Sequence, residues 1–145
     1  MFGVAVDTRT HPQNRMARIL VFEKRLLVAI MLECALIDFG YRVLGPTEIL
    51  KAAIYLAATE HIDAAIVDTN IDGQIAEAVA DKLMERGIPF VFIIGRGRMF
   101  NLYYSAILRL QKPFTIDDLQ RTITRLSSSR LLLRNISKYG QISAA

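Results

Sequence analysis

The chain has very little cysteine and no long apolar run. Its one cysteine, Cys34, excludes an intramolecular disulfide and a cysteine-based zinc cluster. A helix that crosses a bilayer needs about 20 consecutive apolar residues, and no run approaches that length. The first residues also lack the uninterrupted apolar core of a signal peptide. We therefore expect a cytoplasmic protein with no membrane partner, in which Cys34 is a small buried hydrophobic residue.

Several kinds of catalytic site also lack their residues. The two histidines, His11 and His61, stand far apart with no cysteine beside them, which argues against a metal site. No serine lies in a G-x-S-x-G setting. The turn after the first apolar segment, EKRLL, contains no glycine-rich loop for phosphates. A small α/β enzyme or nucleotide binder is therefore the disfavoured class, and we predict a protein that is not an enzyme.

Positive charge is concentrated at the C-terminal end. Residues 109–145 carry seven lysines and arginines against two aspartates, while the whole chain has a net charge of +4. A basic segment can bind nucleic acid or an acidic partner. However, the segment shows no interleaving of basic and aromatic residues that suggests base stacking. We favour a solvated helix face and tail, and keep nucleic-acid binding as the less favoured alternative.

Short apolar segments alternate along the chain with segments of helical spacing. Five segments are typical of strands buried on both faces: 17–23, 41–45, 64–68, 89–94 and 106–111. Helices are predicted over 27–39, 48–59, 74–86 and from Ile116 onwards. Thr47, Gly87 and Thr115 are the expected helix caps. Because parallel neighbours need crossover helices, this order predicts a doubly wound α/β domain with a five-stranded parallel sheet.

The remaining segments give weaker signals. Residues 95–105 (GRGRMFNLYYS) contain two glycines and an asparagine, so we expect only a short or irregular helix there. Its apolar cluster, which includes Tyr103 and Tyr104, is either an interaction surface or buried. We expect an N-terminal extension over 1–15, one domain over 16–129, and a C-terminal helical extension or tail over 130–145. The residues after 127 are too few for a DNA-binding module.

Ligands of an open parallel sheet bind beyond the carboxyl ends of its strands. Glu23 and Lys24 follow the first predicted strand, and Asp68, Ile94 and Lys112 lie at the ends of the third, fourth and fifth. Asp68 stands out because an acid directly after the apolar AAIV is badly placed for packing. It is well placed to meet solvent and a ligand, so we expect the functional site around Asp68.

Residues 17–127 resemble the receiver domain of bacterial two-component response regulators, the CheY-like superfamily. The resemblance rests on RILVFE, HIDAAIVDTNIDG, GIPFVFIIG and LQKPFTIDDLQRTI, and the QKPF element is its most specific part. It implies the flavodoxin-like topology with strand order 2-1-3-4-5 and a histidine kinase as the partner. It also implies partner or homodimer contacts on the face formed by the fourth helix, the fifth strand and the last helix.

The resemblance also assigns roles to residues at the strand ends. Asp68 matches the aspartate that accepts a phosphoryl group, and Lys112 matches the lysine that pairs with it. Pro113 follows that lysine, and a bond before proline adopts the cis form far more readily than other peptide bonds, which would shape that loop. Glu23 matches the first of two adjacent acids that hold Mg²⁺ with Asp68, and Asn70 matches the residue whose backbone carbonyl completes the metal site.

Three positions depart from the family pattern. Lys24 replaces the second metal-binding acid, and Ile94 replaces the threonine or serine whose hydroxyl follows the phosphoryl group. Arg109 replaces the aromatic switch residue of the fifth strand. We expect Ile94 to pack in the core, so that no hydrogen bond to a phosphoryl oxygen drives the displacement of the fourth-strand loop.

The replacement at Lys24 changes the charge of the predicted pocket. Glu23 and Asp68 against Lys24 and Lys112 leave no net negative charge to attract a divalent cation. Our hypothesis is that the Lys24 ammonium occupies the metal space and pairs with Asp68, so that Mg²⁺ binding is weak or absent.

These departures predict an atypical, degenerate single-domain receiver. We expect it to act by binding a histidine kinase or another signalling protein, with weakened Mg²⁺-dependent phosphorylation. The alternative is an ordinary phosphorylatable response regulator switched at Asp68.

Overall fold

The computed structural model describes residues 17–69, 73–95, 102–104 and 106–126 of the 145-residue chain. The predicted extensions at 1–15 and 130–145 lie outside the described residues, as do Asn70 and most of the segment 95–105. The predicted domain limits therefore stay predictions.

A five-stranded sheet forms the centre of the molecule, with the strand order β2-β1-β3-β4-β5. Its strands are β1 (Arg18–Phe22), β2 (Arg42–Thr47), β3 (Ala64–Asp68), β4 (Phe90–Ile94) and β5 (Leu108–Gln111). All four pairings are parallel. Every residue of β3 and β4 is buried, because helices cover both faces of the sheet. The predicted fold class and strand order are confirmed.

Helices cover both faces of this sheet, as a doubly wound fold requires. They are α1 (Leu26–Asp38), α2 (Leu50–Thr59), α3 (Gly73–Glu85), a short 3₁₀ helix (Leu102–Tyr104) and a last helix described over 116–126. One core cluster joins the sheet to α2 and α3 through residues such as Ala53 and Val79. The other joins it to α1 and the last helix through Leu32 and Ile123. Within the described ranges, no helix has the length and apolarity that a membrane span requires.

The predicted caps of two helices are confirmed. The backbone N–H of Asp118 donates to Thr115 Oγ1 at 3.0 Å, and the backbone N–H of Thr115 donates to Asp118 Oδ2 at 2.9 Å. These hydrogen bonds lower the pKa of Asp118 and close the first turn of the last helix as a capping box. At the end of α3, Gly87 has a φ of +68°, the left-handed conformation that favours glycine.

The predicted cap at Thr47 is wrong. Helix α2 begins at Leu50, and the extended residue before it is Ile49. Thr47 instead ends β2. The register between β1 and β2 shifts near Gly45, which has a φ of +90°, and after this shift Thr47 pairs with Phe22. The Thr47 hydroxyl accepts a hydrogen bond from the Ile49 N–H at 3.1 Å, which forms a local turn ahead of the helix.

The prediction that Cys34 is buried is also wrong. Helix α1 faces the sheet with Ala29, Leu32, Ala35 and Leu36, whereas Cys34 is exposed. The helix carries apolar residues around most of its circumference, so their spacing alone did not specify which of them would face the sheet.

Candidate functional site

Three charged side chains meet at the carboxyl edge of the sheet. Glu23 follows β1 and Asp68 ends β3, and these two strands are neighbours with Phe22 opposite Val67. Both acids are buried, with 2% and 0% of their surface exposed. Lys112 follows β5, and its backbone N–H donates to the Ile94 carbonyl at 2.9 Å, which extends the β4–β5 pairing. The fold therefore brings together the predicted phosphoacceptor, metal-binding acid and lysine.

Lys112 supplies the cation that faces Asp68. Its Nζ lies 3.5 Å from Asp68 Oδ2, and the two side chains are 17% and 0% exposed. An ion pair this far from water is weakly screened, and removal of either partner would leave a buried charge uncompensated. The Lys112–Pro113 peptide bond is cis, as the sequence led us to expect.

Glu23 is held in place by its backbone neighbours. Its N–H donates to the Thr47 carbonyl at 3.0 Å, and its Oε1 accepts from the Arg25 N–H at 2.8 Å. Burial, and then contact with the Asp68 carboxyl, raise the pKa of Glu23 to about 7, although the Arg25 N–H and Lys112 act in the opposite direction. At neutral pH, Glu23 is therefore about half protonated.

Lys24 does not take the predicted position. It is exposed to solvent, and in the part of the chain that the structure describes, the cation paired with Asp68 is Lys112. The hypothesis of a Lys24–Asp68 ion pair is therefore wrong. A flexible, strongly hydrated ammonium is more favourably placed in water than in a pocket that already holds one cation. The pocket still approaches charge neutrality, but through the proton on Glu23 rather than through Lys24.

The other predicted positions have separate outcomes. Ile94 is buried at the end of β4 and belongs to the core cluster under α2 and α3, as expected. Its backbone carbonyl accepts a hydrogen bond from the backbone N–H of Lys112. Arg109 is exposed in β5, where it lies opposite Phe92. Asn70 lies outside the described residues, so its predicted role as a metal ligand stays a prediction.

The donor atoms of the pocket permit a test of whether a divalent cation fits. Glu23 Oε2 is buried and accepts no hydrogen bond from any described residue, which suits a cation ligand. Glu23 and Asp68 together offer two carboxylates, and no cluster of three or more potential metal-ligating side chains occurs in the described ranges. The residues present therefore fit Mg²⁺, but with one carboxylate fewer than the family pattern provides.

An open groove of about 560 Å³ lies beside Lys112. Its walls come from α1 with the preceding Arg25, from Gly95 after β4 and from the loop after β5, and they include Val28, Met31 and Phe114. This groove is not predictable from the sequence alone, because its walls are far apart in the chain and only the sheet order brings them together. The groove and the pocket have Lys112 in common.

The aromatic cluster of the segment 95–105 divides between surface and core. Tyr104 is 4% exposed, and its hydroxyl donates to Asp81 Oδ1 at 2.7 Å. Burial and this carboxylate raise the pKa of Tyr104. Tyr103 is 70% exposed. Burial therefore holds for Tyr104, whereas an interaction surface at the exposed Tyr103 stays a prediction.

Comparison with known proteins agrees with this architecture. SdrG from Sphingomonas melonis Fr1 is 32% identical over 77% of this chain and 96% of its own, with a TM-score of 0.63. A second SdrG structure, in a BeF₃-activated conformation, gives a TM-score of 0.61 over 76% of this chain and 95% of its own, again at 32% identity. No protein-family model and no curated protein matches the chain.

More distant structures share the fold. A response regulator receiver protein from Sinorhizobium medicae WSM419 is 23% identical over 80% of this chain and 98% of its own, with a TM-score of 0.65. The receiver domain of the sensor histidine kinase PA1611 from Pseudomonas aeruginosa PAO1, with magnesium coordinated in its active-site cleft, is also 23% identical. It covers 78% of this chain and 98% of its own, with a TM-score of 0.66.

The sheet order and these similarities define the class of the protein. The chain belongs to the response regulator receiver domain family, the CheY-like domains of two-component signalling.

Proposed function

We propose that this chain is an atypical receiver that signals by protein–protein binding, with Asp68 as its phosphoacceptor and with weakened Mg²⁺-dependent phosphorylation. The observation that carries the proposal is the buried Asp68 carboxylate at the end of β3, 3.5 Å from the Lys112 ammonium. A buried acid in this position contributes little to packing, and the lysine beside it suits the charge of a phosphoryl group.

The arrangement supports acceptance of a phosphoryl group in a simple way. The Asp68 oxygen would attack the phosphorus of a phosphohistidine or acyl phosphate donor that reaches the pocket. The bond from phosphorus to the donor nitrogen or oxygen would break, so that the imidazole or carboxylate leaves, and the Lys112 ammonium would stabilise charge on the transferred oxygens. Glu23 and Asp68 would hold Mg²⁺, with the backbone carbonyl of Asn70 as the expected third ligand. When bound, the metal would neutralise further negative charge on those oxygens.

Three features support weakened phosphorylation and switching. Lys24 stands where the family has a second acid, so one metal-binding carboxylate is lost. In addition, the raised pKa of Glu23 means that Mg²⁺ must displace a proton at neutral pH to use this ligand. Ile94 also provides no hydroxyl for a phosphoryl oxygen. Binding and switching are therefore both reduced.

The alternative, an ordinary receiver switched at Asp68, has two observations in its favour. Lys24 lies in solvent, so its ammonium does not fill the metal space. SdrG, at 32% identity, has been observed in a BeF₃-activated conformation, and beryllium fluoride resembles a phosphoryl group in shape and charge. This alternative predicts tight Mg²⁺ binding without any change to the sequence.

Incubation with acetyl phosphate, followed by intact mass measurement, tests the phosphoacceptor. We expect a slow gain of about 80 Da, the mass of one phosphoryl group, that is absent in Asp68→Asn. A gain that persists in Asp68→Asn would contradict the assignment of Asp68, as would a complete lack of modification in the native chain at high Mg²⁺.

Restoration of the missing acid separates weakened from ordinary phosphorylation. We expect Lys24→Asp to increase Mg²⁺ affinity, measured by calorimetry, and the rate of phosphorylation by about tenfold or more. Lys24→Met is the matched control, because it removes the ammonium without adding a ligand. Submillimolar Mg²⁺ binding by the native chain, with little change in Lys24→Asp, would favour the alternative.

The partner of this receiver is proposed to be a histidine kinase or another signalling protein in the cytoplasm. The exposed Tyr103 is a candidate contact on the face formed by the fourth helix, the fifth strand and the last helix. A homodimer through that face stays a hypothesis, as does nucleic-acid binding by the basic C-terminal end. The proposal requires no enzymatic activity towards a further substrate.

A further inference from the structure

The outer side of α1 carries an apolar stripe that nothing in the described chain covers. We call Leu27, Ile30, Cys34 and Ile37 the outer stripe. Leu27 is 82% exposed, Ile37 is 54% exposed and Ile30 is 46% exposed, and the Cys34 thiol lies among them. Scattered apolar residues on a surface need no explanation, but four along one helix form a continuous apolar surface.

The spacing of the outer stripe is that of a helix-packing seam. Its members follow one another at intervals of three, four and three residues, the a and d spacing of helices that pack against each other. At about 100° per residue they fall within a sector of about 80°. The opposite side of α1 is already buried against the sheet through Ala29, Leu32, Ala35 and Leu36. A helix that is apolar on both sides is typical of one buried between two surfaces.

The charges at the ends of α1 are the reverse of those that stabilise an isolated helix. Lys24 and Arg25 precede its N-terminus and Asp38 is its last residue, and all three are exposed. Helix α1 is described throughout, and it has no acid in its first turn and no base in its last. None of the three side chains makes an ion pair with another described residue. The helix dipole favours anions at the N-terminus and cations at the C-terminus, so this arrangement is unfavourable within one chain.

We propose that the outer stripe is the interface of a homodimer in which α1 packs antiparallel against α1 of a second copy. In that arrangement the basic N-terminal end of each helix lies beside the acidic C-terminal end of the other. The two helix dipoles also oppose one another. A second copy therefore buries the apolar stripe and places an opposite charge beside each end of α1. One partner thus accounts for both features.

The register follows from the symmetry of such a pair. A two-fold axis midway between Ile30 and Cys34 places Ile30 opposite the partner's Cys34, and Leu27 opposite the partner's Ile37. Leu26, which is 73% exposed, then lies opposite the partner's Asp38. One helix face is at the small end of the range for specific interfaces, so we expect a weak dimer whose population depends on protein concentration. The inference does not depend on phosphorylation of Asp68.

Sedimentation equilibrium of the full chain tests the interface. The native chain gives a monomer–dimer equilibrium, and Ile30→Glu or Leu27→Glu weakens it by at least about tenfold, because each places a charge in the seam. Tyr103→Glu is the matched control on the other candidate face, and it leaves the equilibrium unchanged. A native chain that remains monomeric at several hundred micromolar overturns the proposal. So does a dimer that is lost in Tyr103→Glu but kept in Ile30→Glu.

An exchange of end charges tests the antiparallel direction. Arg25→Glu and Asp38→Lys each weaken the dimer several-fold, and the double variant recovers it, because the charges of the two ends are interchanged. Each single change improves the local helix electrostatics, so a loss of folding does not account for a weaker dimer. Circular dichroism checks that each variant keeps its helical content. A double variant that is weaker than both single variants overturns the antiparallel pairing.

Oxidative cross-linking tests the register. In Ile30→Cys the new thiol faces the partner's Cys34, and a disulfide-linked dimer forms on mild oxidation, with the cross-linked peptide identified by mass. In the native chain the two Cys34 residues are offset along the paired helices, too far apart for an unstrained disulfide. A native chain that cross-links through Cys34 as efficiently as Ile30→Cys indicates parallel packing and overturns the proposal.

Discussion

Charged side chains are usually exposed and apolar side chains usually buried, and the strand-end pocket and the outer stripe of α1 each depart from one half of this rule. The pocket buries charged groups, with Glu23 and Asp68 almost without exposed surface, whereas the stripe exposes leucine and isoleucine. Within the chain, Lys112 and a proton on Glu23 compensate the negative charge of the buried acids in the pocket. The stripe has no such compensation within the described residues.

This difference separates two kinds of functional signal. A buried charge needs a compensating charge or proton nearby, so its partner is found inside the fold. An exposed apolar surface is compensated only by another surface that removes it from water. A buried charge therefore indicates chemistry at a site, and an exposed apolar surface indicates association with another molecule.

The largest expected effect is on the free energy of unfolding, and it compares the two sides of α1. Leu32 is fully buried and Leu27 is 82% exposed, although both are leucines in one helix. We expect Leu32→Ala to lower the free energy of unfolding by about 3 kcal/mol, through lost burial and a cavity. Leu27→Ala should cost less than about 0.5 kcal/mol in the monomer. Urea denaturation at low protein concentration measures both, and equal losses would mean that the stripe is already packed within one chain.

The next effect concerns the compensation of charge in the pocket. Lys112→Met leaves Glu23 and Asp68 buried together without their cation, so we expect a loss of about 2 to 3 kcal/mol near pH 8. The control is Lys82→Met, which removes an exposed ion pair with Glu85 (2.9 Å between Nζ and Oε2) and should cost less than about 0.5 kcal/mol. If the two variants lose the same stability, the Lys112–Asp68 ion pair is not the compensation described above.

The smallest of the three effects concerns the proton on Glu23. Because its pKa rises from 4.5 to about 7 on folding, the folded chain binds more protons than the unfolded chain between those values. The contribution of Glu23 to stability is therefore lost as the pH rises from about 4.5 through 7. Glu23→Gln removes this dependence, and we expect its stability relative to the native chain to increase by about 2 kcal/mol between pH 5 and 8.

Thermal or urea denaturation across this pH range, in a chelating buffer that keeps divalent ions away from the pocket, measures the Glu23 effect. Glu33→Gln, a change on the partly exposed side of α1, is a suitable control for the loss of one carboxyl. A stability difference between Glu23→Gln and the native chain that is constant with pH would contradict the raised pKa.

The strand-end rule located most of the candidate site before the structure did. It selected Asp68, Glu23 and Lys112, which the sheet order indeed brings together. It could not locate Lys24 correctly, because a residue at a strand end can face the pocket or the solvent, and a lysine stem permits both. The Glu23 proton was not foreseen either, since it depends on burial and on the distance to Asp68, and local sequence specifies neither.

The alternation of apolar segments and helical spacing was enough to determine the fold class, because strands buried on both faces and the helices between them leave few other arrangements. Local chemistry also determined the capping box at Thr115 and the end of α3 at Gly87. Only the tertiary structure decided which apolar face of α1 meets the sheet, that Lys24 lies outside the pocket, and that burial raises the pKa of Glu23. All three depend on contacts between segments far apart in the chain, and periodicity within one segment carries no information about such contacts.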